Sequence, residues 1–234
     1  HSFALNSLHC TGENSMNSFD GTQFAGILPN IVHLQIGFNM FTDIDVLEAV
    51  VELLHHWAPK LVALDLRYRI GFNGNPDYDQ HFDRLFPIIN CHMTGLKSLA
   101  FSCDRYLFTY YKLHLPVISR LEALSLNTRD FWTSTMAKVG SHSSGALTFI
   151  RFEEPRLLEY FDAWNVSPEL LAKITKLSLS FRFVDTIDHL RALFSRLASL
   201  RLLRINFFVH TNFSLNQLAH SFSPLKQLVH LQLE

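Results

Sequence analysis

The sequence predicts an α/β solenoid, a horseshoe with a parallel sheet on its concave side and helices on its convex side. Two observations predict it. First, an L-x-x-L-x-L pattern occurs nine times, and its fourth positions are Leu8, Leu34, Leu64, Leu99, Leu124, Ile150, Leu177, Leu203 and Leu231. Successive spacings are 26, 30, 35, 25, 26, 27, 26 and 28 residues, a period shorter than those of the common helical and propeller repeats. Second, the apolar fourth and sixth positions of each copy alternate with polar residues, which is the period-2 signature of a strand with one buried face. A lone strand cannot bury that face, so about nine copies stack on one another.

The strands come first in each unit. Leu5/Leu8/Cys10, Ile31/Leu34/Ile36, Leu61/Leu64/Leu66 and Leu96/Leu99/Phe101 open the chain. Leu121/Leu124/Leu126, Leu147/Ile150/Phe152, Ile174/Leu177/Leu179, Leu200/Leu203/Ile205 and Leu228/Leu231/Leu233 follow. The first residue of each set, three before the fourth position, turns the chain into its strand. The segments between strands change to helical spacing. Thr42-Asp43-Ile44-Asp45 has the form of a helix start, and Ile44, Leu47, Val50, Val51 and Leu54 follow at helical intervals up to the break at Pro59. The insertion Arg69 to Asp79 lengthens the third unit and reads as a loop rich in turn formers. Ser141-His142-Ser143-Ser144-Gly145 is too short and too rich in Gly and Ser for a good helix. Ser167-Pro168-Glu169 supplies a cap, a first-turn proline and an acid. Thr186 precedes Ile187, Leu190, Leu193, Phe194 and Leu197, and Ser214 with Gln217 forms a capping box.

Bulk composition narrows the functional classes. The net charge of −1 offers no basic stripe for nucleic acid. The longest apolar runs fall short of the roughly 18 residues of a membrane span. A repeat running end to end makes residues 1–234 a single solenoid domain, and a start at His1 with an end inside a repeat reads as part of a longer protein. Three cysteines, Cys10, Cys91 and Cys103, lack paired spacing and favour a reducing compartment, cytoplasmic or nuclear. Two acceptor-like triplets, Asn165-Val166-Ser167 and Asn212-Phe213-Ser214, would matter in a secreted protein.

The nine copies resemble the leucine-rich repeat superfamily in its ribonuclease-inhibitor-like branch. With their irregular spacing they are most like the repeat region of F-box leucine-rich repeat proteins. The superfamily's Asn or Cys at the turn after the strand is matched at Asn39 alone, while Glu13, Arg69, Asp104, Arg129, Pro155, Arg182 and Phe208 fill the other turns. In the F-box relatives the repeats hold a protein substrate for a cullin-type ubiquitin ligase. The resemblance implies that role here, with any ligase adaptor engaged through a region outside this stretch. An inhibitor or immune-type binding protein, or a regulatory repeat segment of a larger enzyme, are the other readings.

The residue pattern points away from chemistry. His55 and His56 are adjacent and project about 100° apart on a helix, so they do not converge on one ligand. HExxH, CxxC, G-x-S-x-G and phosphate-loop patterns do not occur, so no catalytic, cofactor-binding or metal-ligating residue is expected. The residues flanking the buried leucines point instead to a protein-binding face. One column reads His9, Gln35, Asp65, Ala100, Ser125, Arg151, Ser178, Arg204 and Gln232. The next reads Thr11, Gly37, Arg67, Ser102, Asn127, Glu153, Ser180, Asn206 and Glu234. Phe38, Tyr68, Phe181 and Phe207 follow; they either pack beneath the turns or anchor a ligand. The expected partner-binding residues are Asp65, Arg67, Tyr68, Arg151, Glu153 and Arg204, since Tyr and Arg dominate binding hot spots.

Overall fold

A computed structural model of the chain describes residues 7–11, 26, 30–38, 44–68, 77–103, 117, 120–127, 147–152, 168–181, 187–207 and 214–234. It divides into two compact units, residues 1–121 and 122–234. Each is a stack of strands alternating with helices.

The first unit holds β1 (Ser7–Thr11), β2 (His33–Phe38), α1 (Ile44–Trp57), β3 (Ala63–Tyr68), α2 (Asp77–Cys91) and β4 (Ser98–Cys103). Its strands pair in parallel and in chain order, and the motif sets the register: Leu8, Leu34, Leu64 and Leu99 lie side by side. The second unit holds β5 (Ala123–Asn127), β6 (Phe149–Phe152), α3 (Pro168–Leu171), β7 (Lys176–Phe181), α4 (Ile187–Ser195), β8 (Leu202–Phe207), α5 (Leu215–Ser221) and β9 (His230–Leu233). Leu124, Ile150, Leu177, Leu203 and Leu231 form its matching row. This is the arrangement of an α/β leucine-rich repeat solenoid, and both units share it.

A backbone device sets the pitch. At six of the described strand entrances the carbonyl of the residue after the motif's first apolar position accepts two N–H groups from the next repeat. Val32 O accepts from Val62 and Ala63, and Val62 O from Lys97 and Ser98. In the second unit Glu122 O accepts from Thr148 and Phe149, and Thr148 O from Thr175 and Lys176. Thr175 O then accepts from Arg201 and Leu202, and Arg201 O from Val229 and His230. These paired bonds satisfy the donors that enter each strand. The turn positions themselves, Asn39 included, lie outside the described residues, as do residues 69–76, Ser141–Gly145, Ser167, Thr186 and the asparagines of both acceptor-like triplets.

The apolar rows face the helices. Leu34, Leu64, Leu66, Leu99, Leu124, Leu177, Leu203 and Ile205 are buried, as are Leu61, Leu96, Leu121, Leu147, Ile174 and Leu200 at the strand entrances. In α1 the buried residues Leu47, Val50, Val51 and Leu54 recur at helical spacing, and the helix ends with exposed His55 and His56. Cationic or dipolar groups suit a last turn, where carbonyls lack partners. Helix α2 overturns one detail of the sequence reading, which ran the loop to Asp79: the helix begins at Asp77 and continues through Pro87. Buried Phe82, Leu85, Phe86 and Ile89 supply its apolar stripe, and that packing outweighs the local cost of an internal proline. Ser214 caps α5 as expected: its side chain accepts from the Gln217 N–H, and the Gln217 side chain accepts from the Ser214 N–H.

Candidate protein-binding face

The strand pleat sends alternate side chains to opposite faces, so the residues between buried leucines share the face away from the helices. The registered pairs reproduce the polar columns read from the sequence. Gln35, Asp65 and Ala100 are neighbours on β2, β3 and β4, and Gly37, Arg67 and Ser102 form the adjoining row. On the second unit Ser125, Arg151, Ser178, Arg204 and Gln232 lie in one row.

In the first unit Asp65 and Arg67 are brought together. Their side chains project from one strand two residues apart, and Arg67 donates from Nη2 to Asp65 Oδ2 at 2.8 Å and from Nε to Oδ1 at 3.0 Å. Small neighbours, Gly37, Ala100 and Ser102, leave this pair standing above the sheet. The Arg67 side chain retains 41% of its accessible surface and that of Asp65 22%. The pair is open to a partner, and it also neutralises itself.

In the second unit Arg151 and Arg204 occupy one row two strands apart, separated by Ser178. Arg204 forks onto Glu234, donating from Nη2 to both carboxylate oxygens at 2.7 Å. Gln232 donates to the same carboxylate at 2.6 Å. Glu153, which was expected beside Arg151, lies outside the described residues.

Tyr68 requires a correction. Counting in twos from Leu64 through Leu66 reaches Tyr68, so the pleat directs its ring to the buried side, where it is 0% exposed. It stacks on Phe38 at a ring-centre distance of 4.5 Å and meets Phe82 edge-on at 5.0 Å. Its hydroxyl lies 2.8 Å from His81 Nε2. Tyr68 belongs to the core and presents nothing to a partner. Burial, reinforced by the nearby Arg84 charge, lowers the His81 pKa from 6.5 to about 4.

Sequence reading missed Lys176. The columns it followed began after the fourth motif position, yet the residue before that position shares the same face. Exposed Lys176 lies two residues before Ser178 on β7, between Phe149 and Leu202. Period-2 counting in the other direction was the signal that would have found it.

Among the described residues no group of three or more His, Cys, Asp and Glu side chains could hold a metal ion, and no helix is long and apolar enough to cross a membrane. Fold and face together define a repeat module of the leucine-rich repeat type. No protein-family model matches the chain, and no curated protein matches it. Among solved structures it is similar to a Bacteroides fragilis protein determined by a structural genomics consortium, with 14% identity and a TM-score of 0.47. It is also similar to TLR13 in a complex with single-stranded RNA, with 13% identity and a TM-score of 0.32. Each likeness covers 88% of this chain, which spans 66% of the first protein's length and 36% of the second's.

Proposed function

We infer that the chain is a non-catalytic binding module that holds a protein partner on the sheet face away from its helices. The observation that carries this reading is the layout of that face: charged side chains stand in register among Gly, Ala and Ser, at Asp65 and Arg67 in one unit and at Arg151 and Arg204 in the other. Buried leucines define where such residues point, so their spacing is fixed by the backbone before any partner arrives. Pre-set geometry lowers the ordering cost of association.

The more specific reading is that the module presents a substrate to a cullin-type ubiquitin ligase from the cytoplasm or nucleus. The irregular repeat lengths and the scarcity of turn asparagines support that reading through their resemblance to F-box leucine-rich repeat proteins.

The test is affinity capture from cell lysate followed by mass spectrometry, run separately on each unit's pair. Asp65→Ala with Arg67→Ala, or Arg151→Ala with Arg204→Ala, should lose the partner that wild type retains. Controls on exposed helix positions, Glu52→Ala and Arg191→Ala, should keep it. If both double variants retain every partner, the binding-face reading fails. If a partner is lost but stabilisation of its level does not follow when this protein is depleted from cells, the ligase reading fails alone.

A further inference from the structure

We propose that the edge of the second unit where the chain enters β7, β8 and β9 binds an acidic segment of a polypeptide partner. This edge adjoins the binding face and does not use the charged pairs assigned to it above.

The net charge of −1 conceals a local excess of cations. The turns from α3 to β7, from α4 to β8 and from α5 to β9 span residues 172–175, 196–201 and 222–229. They carry Lys173, Arg196, Arg201 and Lys226 but no Asp or Glu. Lys176 opens β7 directly after the first of them. Part of the excess has a local cause, since cations suit the last turn of a helix, and Lys173 and Arg196 take part in interactions of their own. Lys176, Arg201 and Lys226 remain. All three are exposed, they come from three successive repeats, and among the described residues none of them forms an ion pair.

Backbone bonds hold these cations in order. Arg201 and Leu202 both donate to the carbonyl of Thr175, the residue before Lys176, and Val229 and His230 both donate to the carbonyl of Arg201. Successive repeats therefore lie one strand spacing apart, about 4.8 Å. Charges this close need not meet at one atom, because their fields add within a Debye length of about 8 Å. The carboxylates of the unit lie elsewhere. Glu122 is three strands from Arg201 along the row of entrance carbonyls, Glu169 and Asp188 sit in the first turns of α3 and α4, and Glu234 holds Arg204.

The surface between the cations selects among polyanions. Phe222 is the aromatic residue of these turns and it packs on Phe194 at a ring-centre distance of 5.6 Å, so the turns offer no platform on which a base could stack. An extended polypeptide fits better. Its alternate residues recur about every 7 Å, which brings successive carboxylates within reach of long side chains rooted on neighbouring repeats.

The experiment is fluorescence polarisation with the full 234-residue chain. The probes are a labelled peptide alternating Glu with Ser over a dozen residues, its counterpart with Gln in place of Glu, and a single-stranded RNA of equal length. At low salt the Glu peptide should bind about tenfold more tightly than the Gln peptide or the RNA, and added salt should erode that preference. Arg201→Gln should weaken the Glu peptide about threefold, the size of one exposed charge contact, while Arg191→Gln on exposed α4 surface removes the same charge without effect. Lys176→Gln, Arg201→Gln and Lys226→Gln together should remove most of the preference and flatten its salt dependence. Circular dichroism confirms that each variant is folded. Equal binding of the Glu and Gln peptides, equal losses in Arg201→Gln and Arg191→Gln, or a preference that survives in the triple variant overturns the proposal. Tighter binding of the RNA overturns it in favour of a nucleic-acid edge. The lysate capture above tests the face through other residues, so either result can stand while the other fails.

Discussion

Tyr68 Oη and His81 Nε2 share a 2.8 Å hydrogen bond that joins β3 to α2 within the aromatic core of the first unit. Phe38, Phe82 and Phe101 surround the tyrosine ring, and His81 itself is 2% exposed. Charge on that imidazole is therefore costly, which is why its pKa falls from 6.5 to about 4.

Stability of the first unit should consequently depend on pH. The unfolded chain binds the His81 proton near pH 6.5 and the folded chain near pH 4, so the native state is fully favoured above 6.5 and loses stability as pH falls between those values. The full loss is about 3 kcal/mol at 1.36 kcal/mol per pKa unit. Urea unfolding of wild type and His81→Phe at pH 7.5 and pH 4.5 measures it. Wild type should lose about 2–3 kcal/mol more than the variant; equal losses would show that His81 is not the titrating group.

Two leucines of one registered row should respond differently to truncation. Leu177 is 1% exposed between its neighbours, whereas Leu231 at the end of the row is 40% exposed. Leu177→Ala should cost about 2–5 kcal/mol, as buried truncations of this kind do. Leu231→Ala should cost under about 1.5 kcal/mol, because much of its surface already meets water. Chemical denaturation of the two variants decides the matter, and equal costs would place the row's end in the core.

The cap of α5 should be worth about 1 kcal/mol. Ser214→Ala leaves the Gln217 N–H without its side-chain acceptor and dissolves half of the reciprocal pair. Ser214→Asp keeps an acceptor at the same place and should restore most of the loss in thermal unfolding. Loss of stability in both variants would assign the effect to something other than capping.

Pro87 offers a gain. It lies exposed inside α2, where proline removes a hydrogen-bond donor and crowds the preceding turn. Pro87→Ala should raise stability by about 1–3 kcal/mol. A neutral or destabilising result would mean that the helix is bent around the proline and relies on the bend.

Replacing the Asp65–Arg67 pair should, by contrast, alter stability little. Both groups retain access to water, and exposed pairs couple by about 0.2–1 kcal/mol. A double-mutant cycle with Asp65→Ala and Arg67→Ala measures that coupling, and a value of several kcal/mol would make the pair a structural strut.

Most of the fold was legible because leucine spacing encodes both where a strand lies and which residues sit side by side. Rows such as Leu34 with Leu64, and Ser178 with Arg204, could be written down by counting. Helix α2 was harder to see, since turn formers and Pro87 surround its apolar stripe and packing outvotes them. The face was read correctly in its columns and incorrectly at Tyr68. There, preference for aromatic hot spots competed with simple alternation, and alternation decides where a side chain points. Lys176 was missed although counting in twos the other way reaches it, and the pairing of Arg204 with Glu234 emerged only when neighbouring strands were aligned.

The doubled carbonyl bonds at the strand entrances have a consequence for inheritance. Val32, Val62, Glu122, Thr148, Thr175 and Arg201 hold equivalent posts although they range from aliphatic to acidic and basic, because the acceptor at each post is the peptide itself. Every amino acid carries that acceptor, and all but proline carry the N–H that such a post donates to the one before it, so substitution at these posts by any residue other than proline leaves the pitch untouched. A lineage built this way can replace its recognisable letters one by one while its strands stay in step, and its ancestry becomes easier to read in the spacing of its leucines than in the identity of its residues.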